Sequence, residues 1–405
     1  MIPVIAANGW KRIETVFEVD WTSTPTGAGS VSGTGTLYER LSAQYTVQTS
    51  PTTLATGGAL DSSNSPPVGK NQGLVGLVID ESRQTYVAGW REITNGTPGL
   101  NWVNGGGGTA TSNVATSPDG TVNADRSQTP SGNSGFYCNP AWATNSGPHV
   151  VSYWHQAGSV GAVGQSTFDI GSGTFYLCFA GSEPTVWTKS SVVIPNNANG
   201  GGLFRVTDGI NRTGIGGLGA GARDSLIDFT QAEAGSFPTE TNGPGLTLTR
   251  AAPRWWRNVG LTCLAEDGSL RCYIECEPKG ASNEYSADMT LWYIDANNNA
   301  VIDNATQAVK ITIGGTLYTT PNTMSWAREN KLRIFTCAGG GQVTNVQYAV
   351  GAGSPIRIST GSPPTFGALT ISSTLDFLQS NKTKVFSVRC QRIRFYKYNK
   401  KPSDF

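Results

Sequence analysis

A chain of 405 residues has room for two or three domains. Its 38% apolar content and 11 Trp supply the material for packed cores and exclude wholesale disorder. The formal charge of +1 excludes a strongly polyanionic or polycationic chain, and no apolar run reaches the ~18 residues that a membrane-spanning helix needs. Many short apolar runs separated by Gly, Pro, Asn and Ser, with 51 Gly in all, predict an all-β protein. The expected architecture is two tandem β-sandwich domains with a short N-terminal β segment.

Residues 1–95 form that segment. ETVFEVDW predicts a strand carrying Val16, Phe17 and Val19. Glu18 and Asp20 share one face of it, as a pair of glycosidase carboxylates would. The Gly-rich stretch that follows favours a solvated strand end instead. The start of the chain lacks a basic patch followed by an apolar core, so synthesis in the cytoplasm without a signal peptide is expected. TLYERLSAQY (36–45) and GLVIDESRQTY (76–86) are the next β-favouring stretches.

In residues 96–245, SPDGTVNADRSQ (117–128) and TVWTKSSVVIP (185–195) resemble elements of carbohydrate-binding jelly rolls, which implies one such module here. SPDGTVNADRSQ (117–128) supplies a turn and a strand, and VVSYWHQAG another. GSGTFYLCFAG places Phe175, Leu177 and Phe179 on one face, and TVWTKSSVVIP (185–195) follows. DSLIDFTQAEAGSFPT closes the module. Trp102, Tyr137 and Trp142 lie in Asn- and Ser-rich loops and are the candidate glycan-binding residues, because ring faces stack on sugar C–H groups. Trp154 and Trp187 lie on strands and read as core. The two histidines, His149 and His155, have no Gly-x-Ser-x-Gly or His-Glu-x-x-His around them, so a structural role is the reading.

Residues 246–405 read as a second sandwich. RWWR (254–257) sits at its start, where one Trp faces the core and the other seals the junction. In SLRCYIECEP, Cys272 and Cys276 share a strand face at a separation of about 13 Å, too far for a disulfide with each other. The seven Cys, an odd number without C-x-x-C, read as small buried hydrophobes of a reducing compartment. IDANNNAVID sets Asp295, Asn297, Asn299 and Asp303 at alternate positions suited to Ca²⁺. The loop lacks the Gly and Glu that complete such a site, so a hairpin is preferred and a structural Ca²⁺ is the alternative. Basic residues number 12 against 17 acidic ones up to residue 250, and 17 against 11 beyond it. In RIRFYKY, Arg392 and Arg394 alternate with Ile393 and Phe395, the pattern of a half-buried strand rather than a nucleic-acid tail.

Gln231, Glu233, Gly235, Pro238, Thr239, Thr249, Arg250 and Ala251 follow one another in the order of a pattern that resembles bacteriophage structural (fibre or decoration) proteins. The segments at 36–45 and 76–86 are similar to two others of that group, with Leu41 in place of a small Ala and Asp80 in place of Glu. Residues 246–405 resemble laminin-G or concanavalin-like sandwiches. The resemblance implies a non-enzymatic virion surface protein, a head or tail fibre or capsid decoration protein, whose jelly roll contacts host-surface polysaccharide. It implies residues 1–95 as a virion anchor, other virion proteins as partners, a homo-oligomer, and no membrane insertion. The alternatives are an architectural cement protein without sugar binding and a polysaccharide depolymerase.

Overall fold

The computed structural model describes residues 15–20, 39–40, 77–79, 83–90, 93, 102–118, 122–139, 147–171, 173–195, 202–239, 249–250, 253–254, 256–258, 264–369, 374–378, 380 and 384–396. Side chains are described for residue 93 and for those from 102 onward, apart from 249–258 and 374. The described chain is all-β, its one helical turn being the 3-10 segment Thr213–Ile215. Among the described residues no helix is long and apolar enough to cross a membrane. Two tandem β-sandwiches are built from four antiparallel sheets, with a two-stranded ribbon beside them.

In the first sandwich, one sheet of five strands runs Phe175–Ser182, Val163–Asp169, Leu203–Val206, Phe136–Cys138, Val103–Asn104. The facing sheet of seven centres on Arg223–Ala234, flanked by His149–Ala157, Arg83–Trp90 and Val122–Thr129. Phe136, Cys138, Phe168 and Phe204 from one sheet meet Val151, Tyr153, Ile227 and Ala232 from the other in a buried core. Ile227 and Ala232 are an odd number of residues apart, so a regular strand would turn them to opposite faces. A register shift between Asp228 and Gln231, with Phe229 at φ 46°, restores the phase. Phe229 is thereby delivered to a second cluster on the outer side, with Ala124, Trp154 and Trp187. Both tryptophans read as core are buried there. Asp125, wholly buried, accepts from the backbone N–H of Ile93 (2.7 Å) and Asn113 (2.9 Å) and ties the neighbouring segments together.

In the second sandwich, Val388–Tyr396, Ser269–Pro278, Leu332–Gly339 and Asn345–Val350 are successive strands of a seven-stranded sheet. It faces a six-stranded sheet of Trp256–Asn258, Thr374–Phe377, Met289–Asp295, Asn298–Ile302, Ala308–Ile313 and Thr316–Thr323. Leu270, Cys272, Ile274 and Cys276 point inward as the period of two requires. The partner strand has a bulge opposite Glu275 and Cys276. Cys390 before it and Ile393 and Phe395 after it therefore all reach the core, leaving Arg392 and Arg394 outside. The six described cysteines are free. Burial pushes the thiols of Cys276 and Cys390 well above their ordinary range. They are packing groups.

The strands drawn from residues 1–95 are shared out. Thr15–Asp20 and Leu77–Ile79 both pair with Val388–Tyr396, whereas Arg83–Trp90 joins the first sandwich and Glu39–Arg40 pairs with Pro253–Arg254. Of RWWR, Arg254 lies in that pairing and Trp256 and Arg257 pair with Thr374–Phe377, whereas Trp255 and the side chain of Trp256 lie outside the described residues. The sandwiches are joined through GSFPT. Phe237, wholly buried, belongs to the second core and lies 4.9 Å from Tyr285. Gly280 is required beneath it, because a Cβ there would stand 2.5 Å from the ring. On either side, Arg328 donates to the Ser236 carbonyl (2.7 Å) and Lys189 to the Thr239 carbonyl (2.6 Å). Glu233 accepts from both the N–H and the hydroxyl of Thr239 at 2.6 Å.

Candidate functional site

The outer face of the five-stranded sheet gathers the side chains best suited to a ligand. Because Phe168, Phe204 and Cys138 point into the core, their strand neighbours point outward. Cross-strand pairing then sets Asp169 opposite both Phe175 and Leu203, and Arg205 opposite Thr167 and Tyr137, with Val103 beyond. Two adjacent rows result. Arg205 bridges them: its Nη1 donates to Asp169 Oδ2 at 3.0 Å, and its guanidinium lies 5.9 Å from the Tyr137 ring centre and 6.0 Å from that of Phe175.

A second guanidinium comes from the following loop. Arg212 sits 4.0 Å over the Phe175 ring and donates to buried Asp208 at 2.9 Å. Asp208 also accepts from Thr167 Oγ1 at 2.9 Å. Buried Gln165 donates to the carbonyls of Asp208 (2.9 Å) and Ile210 (3.0 Å) and accepts from the Leu218 N–H (2.6 Å), which fixes the loop to the sheet. The result is a pre-set surface of two half-buried rings, two arginines and a partly exposed carboxylate. Rings cover sugar C–H faces, guanidinium groups donate to hydroxyl oxygens, and Asp169 accepts from hydroxyls.

Of the three predicted glycan residues, Tyr137 lies on this face. Trp102 does not: it packs against the core, edge-on to Phe204 at 6.4 Å, on the side of the sheet opposite Val103 and Tyr137. Trp142 lies outside the described residues. Sequence reasoning passed over Asp169, Arg205 and Arg212, and it set Phe175 on one face with Phe179, which instead packs against the core. The alternation of Leu203 and Arg205 with Phe204 and Val206 marks Arg205 as outward, but only pairing reveals that it meets Tyr137.

The four oxygen-bearing residues of 295–303 are not brought together. Asp295 pairs with Asn298 at the tip of a hairpin, where its Oδ1 accepts from Asn297 N (2.8 Å) and Asn298 Nδ2 (3.0 Å). Asn299 Nδ2 donates to the carbonyls of Asp295 (3.1 Å) and Ala296 (3.0 Å). Asp303 lies at the other end of the strand, roughly 17 Å away at ~3.4 Å per residue, and is engaged by Lys310 and Thr306. Among the described residues no cluster of three or more His, Cys, Asp or Glu forms a metal site.

His155 carries the one chain of groups with catalytic connectivity that stands out. Its Nδ1 meets Glu183 Oε2 at 2.5 Å and its Nε2 meets Ser190 Oγ at 2.8 Å, the order of orienting acid, base and nucleophile. Yet the imidazole is wholly buried between Tyr153 (4.8 Å) and Phe179 (4.3 Å), and Glu183 is also held by Ser225. Ser190 lines neither the cleft between Gly107 and Asp224 nor the one between Tyr273 and Arg394. His155 and Glu183 are enclosed and Ser190 stands half-buried at their edge, so the three form a polar network at the margin of the core. The sequence has no motif that would have revealed it.

No protein-family model matches the chain, and no curated protein matches it. Among solved structures, it is similar to the CBM22-1 xylan-binding domain of Paenibacillus barcinonensis Xyn10C, at 14% identity over 38% of this chain and 96% of that chain, with a TM-score of 0.28. The CBM22-1–CBM22-2 tandem domain of the same protein is similar at 11% identity, over 80% of this chain and 94% of that chain, again with a TM-score of 0.28. The CBM22-1–GH10 modules of Clostridium thermocellum Xyn10B, complexed with xylohexaose, align at 13% identity over 39% of this chain and 29% of that chain, with a TM-score of 0.27. At such scores the assignment of fold and site rests on the strand pairing and side chains of this chain itself.

Proposed function

We propose that the first sandwich binds a glycan chain on the outer face of its five-stranded sheet, without acting on it chemically. The observation that carries this reading is Arg205, ion-paired to Asp169 at 3.0 Å and set between the rings of Tyr137 and Phe175. Rings and hydrogen-bonding groups thus share one rigid surface. A glycan array probed with the full chain tests it. Arg205→Ala, or Tyr137→Ala with Phe175→Ala, weakens binding about tenfold or more, since stacked rings and charge-assisted hydrogen bonds are each worth about 1–3 kcal/mol. Unchanged binding by a folded Arg205→Ala protein refutes the assignment.

The setting we propose for this binding is the surface of a bacteriophage particle, facing host polysaccharide, with further copies and other virion proteins as partners. It is supported by the resemblance of residues Gln231 to Ala251, and of the segments 36–45 and 76–86, to such proteins. Cryo-EM of purified particles tests it, and density for this chain inside the capsid or nowhere on the particle overturns it.

A further inference from the structure

The second sandwich carries a polar cleft of about 800 Å³ on the outer face of its seven-stranded sheet. Its floor follows from the register. Arg394, Tyr273 and Phe335 form one row across three strands, and Arg392, Glu275 and Arg333 the next. Lys331 flanks the second row, and the loop from Gly351 to Pro355 makes the wall.

The charges do not cancel. Glu275 is the one acid among the lining residues. It is paired with Lys331, lies 3.6 Å from Arg392 Nη1 and accepts from the Tyr273 hydroxyl at 3.0 Å. Burial alone would raise its pKa, but the bond from Lys331 and the other cations outweigh that and hold it below the ordinary value. Arg333 donates to neutral groups, the carbonyls of Gly351 (2.9 Å) and Gly353 (3.0 Å), which pins the wall. On the far side, the register sets Asp20 opposite Arg392 and Glu18 opposite Arg394. With Arg392 and Arg394 set aside, Lys331 and Arg333 share the single carboxylate of Glu275. One positive charge is left over at that end, under a loop whose residues 351–354 are exposed.

We propose that this cleft binds a carboxylated glycan, seating one uronate carboxylate between Lys331 and Arg333 while neighbouring sugar hydroxyls donate to Glu275. A surplus of one charge beside an acceptor matches a ligand of one carboxylate and several hydroxyls. A phosphodiester chain asks for something else, a row of cations with open aromatic faces. Here Glu275 interrupts the cations, and Tyr273 is 3% exposed, packed beside Tyr396.

The proposal is independent of the first sandwich, and its test separates the two. Binding of the full chain is measured to polygalacturonate, to its fully methyl-esterified form, to polyglutamate and to a single-stranded oligonucleotide. Polygalacturonate is expected to bind, and esterification to weaken binding about tenfold, the value of one charge-assisted contact. Lys331→Gln is expected to weaken it similarly, in the parent chain and in an Arg205→Ala chain alike. Should Lys331→Gln fail to fold, Ala352→Asp on the exposed wall puts a negative charge at the same mouth and gives the same loss. Equal binding of the acid and esterified forms, tighter binding of polyglutamate or the oligonucleotide, or full binding by both folded variants overturns the proposal.

Discussion

Buried His155 and Glu183 show how a single position is held by its neighbours. Glu183 leaves no room beside it: a Cβ at Gly164 would fall 1.6 Å from its Oε1. Removing the imidazole takes the partner of Glu183 Oε2 inside the core and leaves Ser225 on Oε1, so His155→Ala is expected to cost about 3–5 kcal/mol. Ser190→Ala removes one hydrogen bond at a half-buried edge and is expected to cost about 1 kcal/mol. Urea denaturation of the two variants measures both, and equal large costs would show that Ser190 holds more than this network. Titration acts at the same scale. Burial lowers the pKa of His149 below 6.5, so the unfolded chain takes up a proton first and stability falls as pH drops below that value. The hydrogen bond from Arg126 lowers Asp224 below 3.8 despite its partial burial. Its contribution is full above that value and lost as pH falls further. Melting temperature is expected to decline from about pH 6.5 downward and again below about pH 4. Arg126→Gln removes part of the lower limb only.

Strand alternation was legible in the sequence because the period of two survives wherever a strand is regular. Ile393 and Phe395 inward with Arg392 and Arg394 outward is one such case. The bulges were not legible, since an extra residue changes phase without changing composition. Ile227 and Ala232 share a core only through the irregularity around Phe229. The hairpin at 295–298 was legible from its Asn and Asp, which bond their own backbone two residues on. Asp295→Ala is expected to cost about 1 kcal/mol through the lost turn bonds. A thermal melt gives the same loss with Ca²⁺ present or chelated if the hairpin reading is right. A loss confined to Ca²⁺-containing buffer would restore the metal site.

At the scale of the molecule, GSFPT is a clamp rather than a free linker. Phe237 follows the central strand of one sandwich and fills the core of the other, with Arg328 and Lys189 holding the backbone on either side. Phe237→Ala is expected to cost about 3–5 kcal/mol by cavity formation. It is also expected to separate the unfolding of the sandwiches into two calorimetric transitions where the parent shows one. A variant that keeps a single transition at the parent temperature would show that the ring is not the coupling element.

Composition, turn residues and alternation determined by themselves that the chain is all-β, built as two sandwiches, with a hairpin near residue 296 and Trp154 and Trp187 enclosed. These are local properties, carried by each strand's own period and by the residues that break it. Which strand lies beside which was decided only in three dimensions. Pairing placed Arg205 between Tyr137 and Phe175, turned Trp102 inward, and drew the strands at 15–20 and 77–79 onto the closing strand of the second sandwich. The physical reason is that partners across a sheet are chosen by register and by the burial of one common face, and neither is written within a single strand.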